Sequence, residues 1–272
     1  MTEASGGRRG ADTFAFGRNW ERFVEKNFSD ERVEISRKHL LDFLEMPDLK
    51  GKYFLDVGCG SGIHSLAAFR SGAARIVSFD IDSFSVKTTE RLRAMAGNPP
   101  HWQVLSGSVL DKAFVDGLEP ADIVYSWGVL HHTGSLWEAV RNTAGRIAPG
   151  GLFYLALYEK TADSAYWIAT KQKYNRSSQT TRWKMEVASV YRNYFLGRST
   201  RQRLSALKEI LTYKRNRGMA FWTDVRDWVG GWPYEPSTPQ EVTEFVAGLG
   251  LSMRKVKTGE ANVEYLVARE GG

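Results

Sequence analysis

The stretch 53–62 (YFLDVGCGSG) constrains this chain more than any other segment. Apart from Asp56, its first five residues are β-branched, aromatic or aliphatic, which is the pattern of a strand covered on both faces. Glycines follow at alternate positions, where they tolerate positive φ and let a ligand touch the backbone. The apolar run 63–69 predicts a helix whose unpaired N–H groups point back into the turn. The stretch therefore predicts either a polar-ligand site or an ordinary structural turn.

An alternation of strands and helices continues from this turn. Residues 75–80, 102–105, 121–127 and 152–158 predict four more buried strands. A carboxylate at the end of the second strand can accept both ribose hydroxyls of a nucleoside, and Asp80 lies there. Asp82 is the alternative ligand, although it could instead cap the predicted helix 83–95. Asp111 could likewise begin a helix or touch a ligand.

Several motifs follow one another in a fixed order: DVGCGSG at 56–62, Asp80, SGSV at 106–109, GVLHH at 128–132 and PGG at 149–151. Together they resemble the motifs of class I S-adenosylmethionine (SAM) methyltransferases, whose glycine motif is written (D/E)-x-G-x-G-x-G. The resemblance covers about residues 53–158 and 237–269. It implies SAM as the cofactor and S-adenosylhomocysteine as the product, without specifying the methyl acceptor.

The resemblance also implies which residues contact SAM. Its methionine end would lie over the glycine turn, with Asp56 near the ammonium group and Asp80 on the ribose. Ile81 would form a wall for the adenine, Ser108 would read its amino group, and Val109 would pack on the ring. The implied cofactor-binding residues are Asp56, Gly58, Cys59, Gly60, Gly62, Asp80, Ile81, Ser108, Val109 and Trp127.

Residues 127–132 follow the fourth strand, and ligands of open α/β sheets bind at the carboxyl ends of strands. We predict proton transfer by His132, or else by His131, because the pKa of histidine lies near working pH. The alternative is that the paired histidines pack and shape the pocket. Too few other histidines or cysteines lie nearby to predict a metal site.

The predicted fold is α/β, a doubly wound sheet of seven mostly parallel strands with an antiparallel last strand. A helical insertion lies between the fifth strand and the last helix. We predict a flexible arm at 1–17, cap helices within 18–46, a SAM-binding domain at 18–158 and 237–272, and the insertion at 159–236. The cap helices could equally be ordinary packing helices.

The insertion is basic and aromatic. Residues 160–228 hold 15 Lys and Arg against 5 Asp and Glu, a net charge of +10, whereas the rest of the chain has a net charge of −4. This asymmetry predicts contact with an anion, a polyanion or an acidic surface. As a substrate lid, the insertion would hold a carboxylate or phosphate with arginines and exclude water with aromatic rings. The predicted substrate-binding residues are Trp20, Arg192, Arg201, Trp228 and Trp232, although any of the arginines could simply be solvated.

Composition excludes several classes of protein. No apolar run approaches the roughly 20 residues of a membrane span, and residues 1–17 lack the apolar core of a secretory signal. Cys59 is the single cysteine, which rules out an internal disulfide and fits a reducing cytoplasm. We read Cys59 as a small packing residue.

Three functions remain. The favoured one is O- or N-methylation of a small anionic acceptor under a basic aromatic lid. The second is an RNA or protein methyltransferase that binds a polyanion through the same insertion. The third is a SAM-fold binding module without activity, which serves as a partner subunit or attaches to a membrane surface.

Overall fold

The computed structural model describes residues 29–217, 221–259 and 262–271, and only the backbone of 212–217 and 223. The described residues divide into two compact units. The inserted unit is Ala162–Tyr234, and the sheet unit comprises 29–161 and 235–271. The predicted arm 1–17, the first cap helix 18–28 and Trp20 lie outside the described residues.

Seven strands form one sheet in the order β3-β2-β1-β4-β5-β7-β6. The first five strands are parallel to one another, whereas β7 pairs antiparallel with both β5 and β6. The predicted seven-stranded sheet with an antiparallel last strand is confirmed. The strands are β1 (Tyr53–Val57), β2 (Arg75–Asp80), β3 (Trp102–Ser106), β4 (Ala121–Trp127), β5 (Ile147–Tyr158), β6 (Ser252–Thr258) and β7 (Asn262–Ala268).

Helices cover both faces of this sheet. The helices of the sheet unit are α1 (Asp30–Leu44), α2 (Ile63–Arg70), α3 (Ser83–Met95), α4 (Lys112–Asp116), α5 (Leu136–Ala144) and α10 (Pro239–Gly248). Apolar residues of α1, α2 and α3 form one core with the strands, and those of α5 and α10 form the core on the opposite face. This layering is the expected result of right-handed crossovers between parallel strands.

Polar caps begin the helices where the sequence places them. Ser29 caps α1, and Asp82 accepts a hydrogen bond from the N–H of Phe84 at the start of α3. Asp111 caps α4 in the same manner. Thr238 and Glu241 form a capping box on α10, with proline at its first position. Asp82 and Asp111 are therefore helix caps, the alternative role that the sequence left open for each.

One predicted boundary is wrong. The sequence favours a helix over 135–147, but α5 ends at Ala144 and Ile147 already belongs to β5. Ala121 pairs with Ile147 and Ile123 pairs with Leu152, so the PGG segment is an irregularity inside the strand. A side chain at Gly151 would crowd three backbone oxygens, which explains the glycine.

The inserted unit consists of α6 (Ser164–Asn175), α7 (Gln179–Tyr194), α8 (Thr200–Arg217) and α9 (Phe221–Gly230). The sequence predicts the first three helices and a turn at 230–233, but it does not predict α9. This helix continues to Gly230 and buries Phe221 and Val229. The turn itself begins at Gly231 and contains a cis peptide bond between Trp232 and Pro233. Among the described residues, no helix is long and apolar enough to cross a membrane.

In the sheet unit, the segments before and after the insertion are hydrogen-bonded to each other. The N–H of Ser237 donates to the carbonyl of Tyr158 at 3.0 Å, and the N–H of Lys160 donates to the carbonyl of Ser237 at 3.0 Å. The chain therefore leaves the sheet unit and returns to it at hydrogen-bonded neighbours.

Candidate functional site

The glycine turn is fixed to the end of β2. The N–H groups of Gly58 and Cys59 both donate to the carbonyl of Phe79, at 2.9 and 3.0 Å. Gly58, Gly60 and Gly62 have φ values of 77°, 52° and 76°, a region that side chains disfavour. The three alternate glycines of the sequence are therefore required by the backbone of the turn.

Asp80 joins this turn to the strand end. One carboxylate oxygen accepts from the N–H of Gly60 at 3.0 Å, and the other accepts from the N–H of Asp82 at 2.8 Å. The carboxylate thus lies beside the glycine turn at the carboxyl ends of β1 and β2. Ile81 follows it with 57% of its side chain exposed, as a wall for a flat ligand would be.

Asp56 lies at the end of a buried hydrogen-bond chain. Trp102 Nε1 donates to Ser78 Oγ at 2.9 Å, Ser78 Oγ lies 2.7 Å from Ser65 Oγ, and Ser65 Oγ donates to Asp56 Oδ2 at 2.5 Å. Indole only donates, an ionised carboxylate only accepts, and each serine has one hydroxyl proton. Each donor in this series of hydrogen bonds therefore points toward Asp56.

The charge on Asp56 is held in a low-dielectric environment. Burial raises the pKa of its carboxyl to about 7, the hydrogen bond from Ser65 opposes that rise, and the Asp80 carboxylate adds to it. A cation placed near Asp56 would therefore stabilise the ionised form. Sequence reasoning missed Ser65 and Ser78, although a hydroxyl inside an apolar buried run requires a hydrogen-bond partner.

Two polar atoms near the glycine turn have no hydrogen-bond partner among the described residues. They are Nδ1 of His64, in the first turn of α2, and Oη of Tyr125, and both are buried. The two rings lie 5.0 Å apart between centroids, and His64 also lies 6.4 Å from Trp127. Burial lowers the pKa of His64 to about 4, so its ring is neutral. These atoms can bond to a polar ligand or to water.

The segment after β4 contacts the glycine turn. A side chain at Gly58 would overlap the side chain of Val129, so the two motifs are in direct contact. Trp127 ends β4 with 38% of its side chain exposed. Gly128 has a φ of 74°, and nothing lies within 4 Å of the position its Cβ would take. The strand end is therefore open beside the turn.

The two histidines differ in their surroundings. His131 is fully buried, its Nδ1 accepts from the N–H of Tyr158 at 3.1 Å, and its ring lies 3.9 Å from that of Tyr158. His132 is only half-buried, in the same single turn of 3₁₀ helix. The backbone bond orients the His131 ring, and His132 is the more accessible of the two rings.

Glu235 holds the same segment from the other side. Its carboxylate accepts from the N–H groups of Gly134 and Leu136, at 2.9 and 3.3 Å, and its own N–H donates to the carbonyl of His131 at 3.0 Å. This role cannot be predicted from the sequence, because Glu235 lies about a hundred residues further along the chain.

Ser108 and Val109 are turned toward the protein. Ser108 Oγ accepts from the N–H of Leu110 at 3.2 Å, and Val109 is 8% exposed within the core. The carbonyl of Val109 accepts from the side chain of Asn142. These contacts hold the loop after β3, and any adenine contact by either residue stays a prediction.

The inserted unit brings some of the predicted substrate residues together. The Arg192 guanidinium lies 4.0 Å from the Tyr166 ring and 5.7 Å from that of Trp167. Trp228 meets Trp167 edge-on at 5.1 Å. Trp232 is half-buried before the cis peptide bond, whereas Arg201 is exposed on α8. Arg192, Trp167 and Trp228 thus form one cluster of a guanidinium and two indole rings, to which Arg201 does not belong.

A groove of about 330 Å³ lies between α6 and α7. Its lining combines aromatic rings with small and basic side chains. The lining residues are Tyr166, Trp167, Ala169, Thr170, Lys173, Met185, Ala188 and Ser189.

The known proteins to which this chain is similar are methyltransferases. A family model for ribosomal protein L11 methyltransferase (PrmA) matches residues 38–155. The chain is 33% identical over 106 residues to a tRNA U34 carboxymethyltransferase of Klebsiella pneumoniae, across 39% of this chain and 31% of the relative. It is 35% identical over 111 residues to a ribosomal protein L11 methyltransferase of Vibrio cholerae, across 41% and 35% of the two chains. The alignments thus span about a third of the length of these curated relatives.

Solved structures extend the likeness over nearly the full chain. An O-methyltransferase family protein from Burkholderia thailandensis matches with a TM-score of 0.55 at 13% identity, over 94% of this chain and 59% of its own. Magnesium protoporphyrin IX methyltransferase from Synechocystis, with bound S-adenosylhomocysteine, matches with a TM-score of 0.55 at 13% identity, over 93% and 94%. At this identity the two structures show the fold alone.

SAM, the cofactor of this family, fits the residues present. The glycine turn is surrounded by polar groups that can bind a ligand. They are His64 Nδ1 and Tyr125 Oη, which have no hydrogen-bond partner among the described residues, the uncapped start of α2 and the Asp80 carboxylate. Residues 38–155 are thus similar to a methyltransferase family, and the sheet has the class I, Rossmann-like fold of SAM-dependent methyltransferases.

Proposed function

We propose that this protein transfers the methyl group of SAM to a small anionic acceptor, with an oxygen or nitrogen atom as the favoured methyl acceptor. The observation that carries the proposal is the contact between Gly58 and Val129. It brings the glycine turn next to the open strand end of Trp127 and Gly128. A methyl donor on the turn and an acceptor at that strand end would be neighbours.

Different residues of the site would contact different parts of SAM. Bound SAM supplies a methyl group on a cationic sulfur, which is already a strong electrophile. Asp56 would oppose the cationic methionine end, and Asp80 would accept hydrogen bonds from the ribose while holding Gly60. Much of the rate enhancement then comes from alignment of the acceptor with the methyl group.

His132 is the proposed proton acceptor. It is half-buried next to the strand end, where a hydroxyl or ammonium of the acceptor would lose a proton. His131 is the proposed positioning residue, because its Nδ1 is occupied by the N–H of Tyr158. Loss of His132 should therefore affect turnover more than cofactor affinity.

The acceptor class is inferred from the inserted unit. The groove between α6 and α7 has a volume typical of small-molecule sites. Lys173 lines it, and Arg192 lies over the ring of Tyr166 at its wall. Aromatic surface beside cationic groups suits a flat or apolar molecule that carries a carboxylate or phosphate.

A second candidate is methylation of RNA or of a protein. It is favoured by the net charge of +10 in residues 160–228 and by relatives named for tRNA and ribosomal protein L11. A third, a binding module without activity, would keep SAM affinity and show no turnover.

Transfer of radiolabelled methyl from SAM tests these alternatives, with pooled small carboxylates and phosphates, with bulk tRNA and with ribosomal protein as acceptors. Activity on a small acceptor that responds weakly to salt supports the proposal. Activity on tRNA that falls linearly with salt on logarithmic scales would instead identify an RNA enzyme. SAM binding without transfer to any acceptor would favour the binding module.

Two variants test the assigned residues. Asp80→Asn should weaken SAM binding by at least about a hundredfold, since the amide has no charge and replaces one of the two acceptor oxygens by a donor, while Asp111→Asn, which alters only a helix cap, should leave it unchanged. His132→Asn should reduce turnover and keep SAM affinity. Unchanged SAM affinity in Asp80→Asn would refute the assignment of the cofactor site.

A further inference from the structure

The inserted unit exposes an apolar stripe on α8. Leu204, Leu207 and Leu211 are 63%, 46% and 84% exposed. At 3.6 residues per turn, these three positions fall on one face of the helix. An amphipathic helix normally turns such a face into its core, but among side chains 200–211 the buried one is Ala206, at 1% exposure.

A second stripe lies on α7. Trp183, Val187 and Tyr191, spaced four residues apart, are 60%, 37% and 54% exposed. Leu196, in the connection between the two helices, is 59% exposed as well. Several large apolar side chains exposed along one helix face mark an interaction site rather than an ordinary soluble surface.

Basic side chains flank both stripes. Lys184, Arg198, Arg201 and Arg203 are exposed, and within the described part of the chain none forms an ion pair with a carboxylate. A single acidic residue lies on each helix. Glu186 of α7 is 4% exposed and is bonded by Tyr174 and Arg226, and Glu209 of α8 lies roughly opposite the leucines.

We propose that the inserted unit docks on an anionic lipid surface through these exposed apolar stripes of α7 and α8. An apolar face with tryptophan, tyrosine and leucine beside lysine and arginine matches the boundary between lipid headgroups and acyl chains. The proposal is independent of methyl transfer and would hold even if the acceptor were different.

Other occupants match the surface less well. A nucleic acid would use the arginines, but it offers little apolar surface to three exposed leucines. A second copy of the chain would bring two segments of net charge +10 together. Charge complementarity therefore favours an anionic and apolar partner.

Flotation of the full chain with vesicles tests the proposal. Vesicles of phosphatidylcholine mixed with phosphatidylglycerol should bind the protein, and vesicles of phosphatidylcholine alone should bind it weakly. The triple change Leu204→Ser, Leu207→Ser and Leu211→Ser should reduce the partition coefficient by at least about a hundredfold, given the burial energy of leucine. Lys184→Gln and Arg203→Gln should each reduce it about fivefold.

A matched control is available in the sheet unit. Ile35 and Met95 are 63% and 57% exposed, so Ile35→Ser with Met95→Ser removes comparable apolar surface elsewhere. This double variant should bind vesicles like the unchanged protein. Helical circular dichroism and thermal unfolding, measured on every variant, report whether the inserted unit is folded.

Three outcomes would overturn the proposal. One is equal binding to both kinds of vesicle, or to neither. Another is retained vesicle binding in the folded leucine variant. The third is a concentration-dependent dimer, or a tRNA complex, that forms without vesicles and is abolished by the leucine changes. Trp183→Ser gives a separate test of the α7 stripe, because its exposed ring contributes little to folding.

Discussion

At the scale of single residues, Asp56 is the group whose chemistry is most altered by the fold. Its carboxylate is 2% exposed and is held by Ser65 at the end of the chain that starts at Trp102. With a pKa of about 7, the carboxyl is partly protonated at neutral pH before any ligand binds. Binding of a cationic group must therefore displace a proton.

SAM affinity should depend on pH for this reason. Below pH 7 the free protein holds the proton, so we expect the affinity to fall by up to about tenfold for each pH unit of acidification and to level off in more alkaline solution. Ser65→Ala removes a bond that lowers the pKa of Asp56. It should move the midpoint to higher pH and weaken binding at neutrality.

Calorimetry across this pH range measures both effects. Ser71→Ala is the matched control, because Ser71 is a buried serine at the other end of α2 whose hydroxyl donates to the carbonyl of Ala67. An affinity that does not vary with pH, or an identical midpoint in Ser65→Ala, would contradict the role assigned to Asp56.

At the scale of elements, the segment between β4 and α5 depends on Glu235. Glu235→Ala would leave the N–H of buried Leu136 without an acceptor, whereas the N–H of exposed Gly134 can bond to water, so we expect a loss of about 1–3 kcal/mol in unfolding free energy. Turnover should fall more than SAM affinity, because this segment carries His132. Thermal unfolding measures the loss of stability, calorimetry measures SAM affinity and a methyl-transfer assay measures turnover. An unaltered melting temperature would mean that the two bonds contribute nothing.

Within the inserted unit, α6 and α9 enclose Lys171. It is 1% exposed, donates to the carbonyl of Trp228, and lies 4.7 Å from the ring of Trp228 and 4.9 Å from that of Tyr234. Burial lowers the pKa of Lys171 to about 7, opposed by the charge of Asp227. The unfolded chain therefore binds more protons than the folded one between about pH 7 and about pH 10.

Stability should consequently rise with pH through that window. Lys171→Met should stabilise the inserted unit by about 1–4 kcal/mol near pH 7, as replacement of buried charges by apolar groups can do, and the gain should fade toward about pH 10. Melting curves at several pH values measure this, with exposed Lys173→Met as the control. A Lys171→Met variant less stable than the parent near pH 7 would show that the charged amine is needed.

The sequence predicts local features well and distant contacts poorly. The glycine turn, the caps at Ser29 and Asp82 and the start of α10 follow from residue type and spacing over a few positions. Glu235 could not be predicted, because its partners lie across a long stretch of chain. The sequence analysis missed α9, although the apolar spacing from Phe221 to Val229 supports a helix that ends at Gly230.

At the scale of the whole molecule, the insertion begins and ends at hydrogen-bonded neighbours, Tyr158 to Lys160 and Ser237. Replacing residues 162–234 by a short glycine–serine linker should therefore leave a folded sheet unit, because closure entropy varies only slowly with loop length. We expect SAM affinity to persist and methylation of the acceptor to be lost. Calorimetry and methyl-transfer assays measure these outcomes. Loss of SAM affinity would show that the inserted unit is required for the fold of its host.

The antiparallel pairing of β5 with β7 has a consequence for synthesis. The apolar strand β5 has its partner roughly 100 residues further along the chain. At about 5–20 residues per second, a ribosome needs about 5 to 20 seconds to make that length. Throughout this interval the growing chain presents an unpaired apolar edge, which can recruit strands of other chains. Protection of this edge during translation, rather than the stability of the finished sheet, would then limit how much protein a cell recovers.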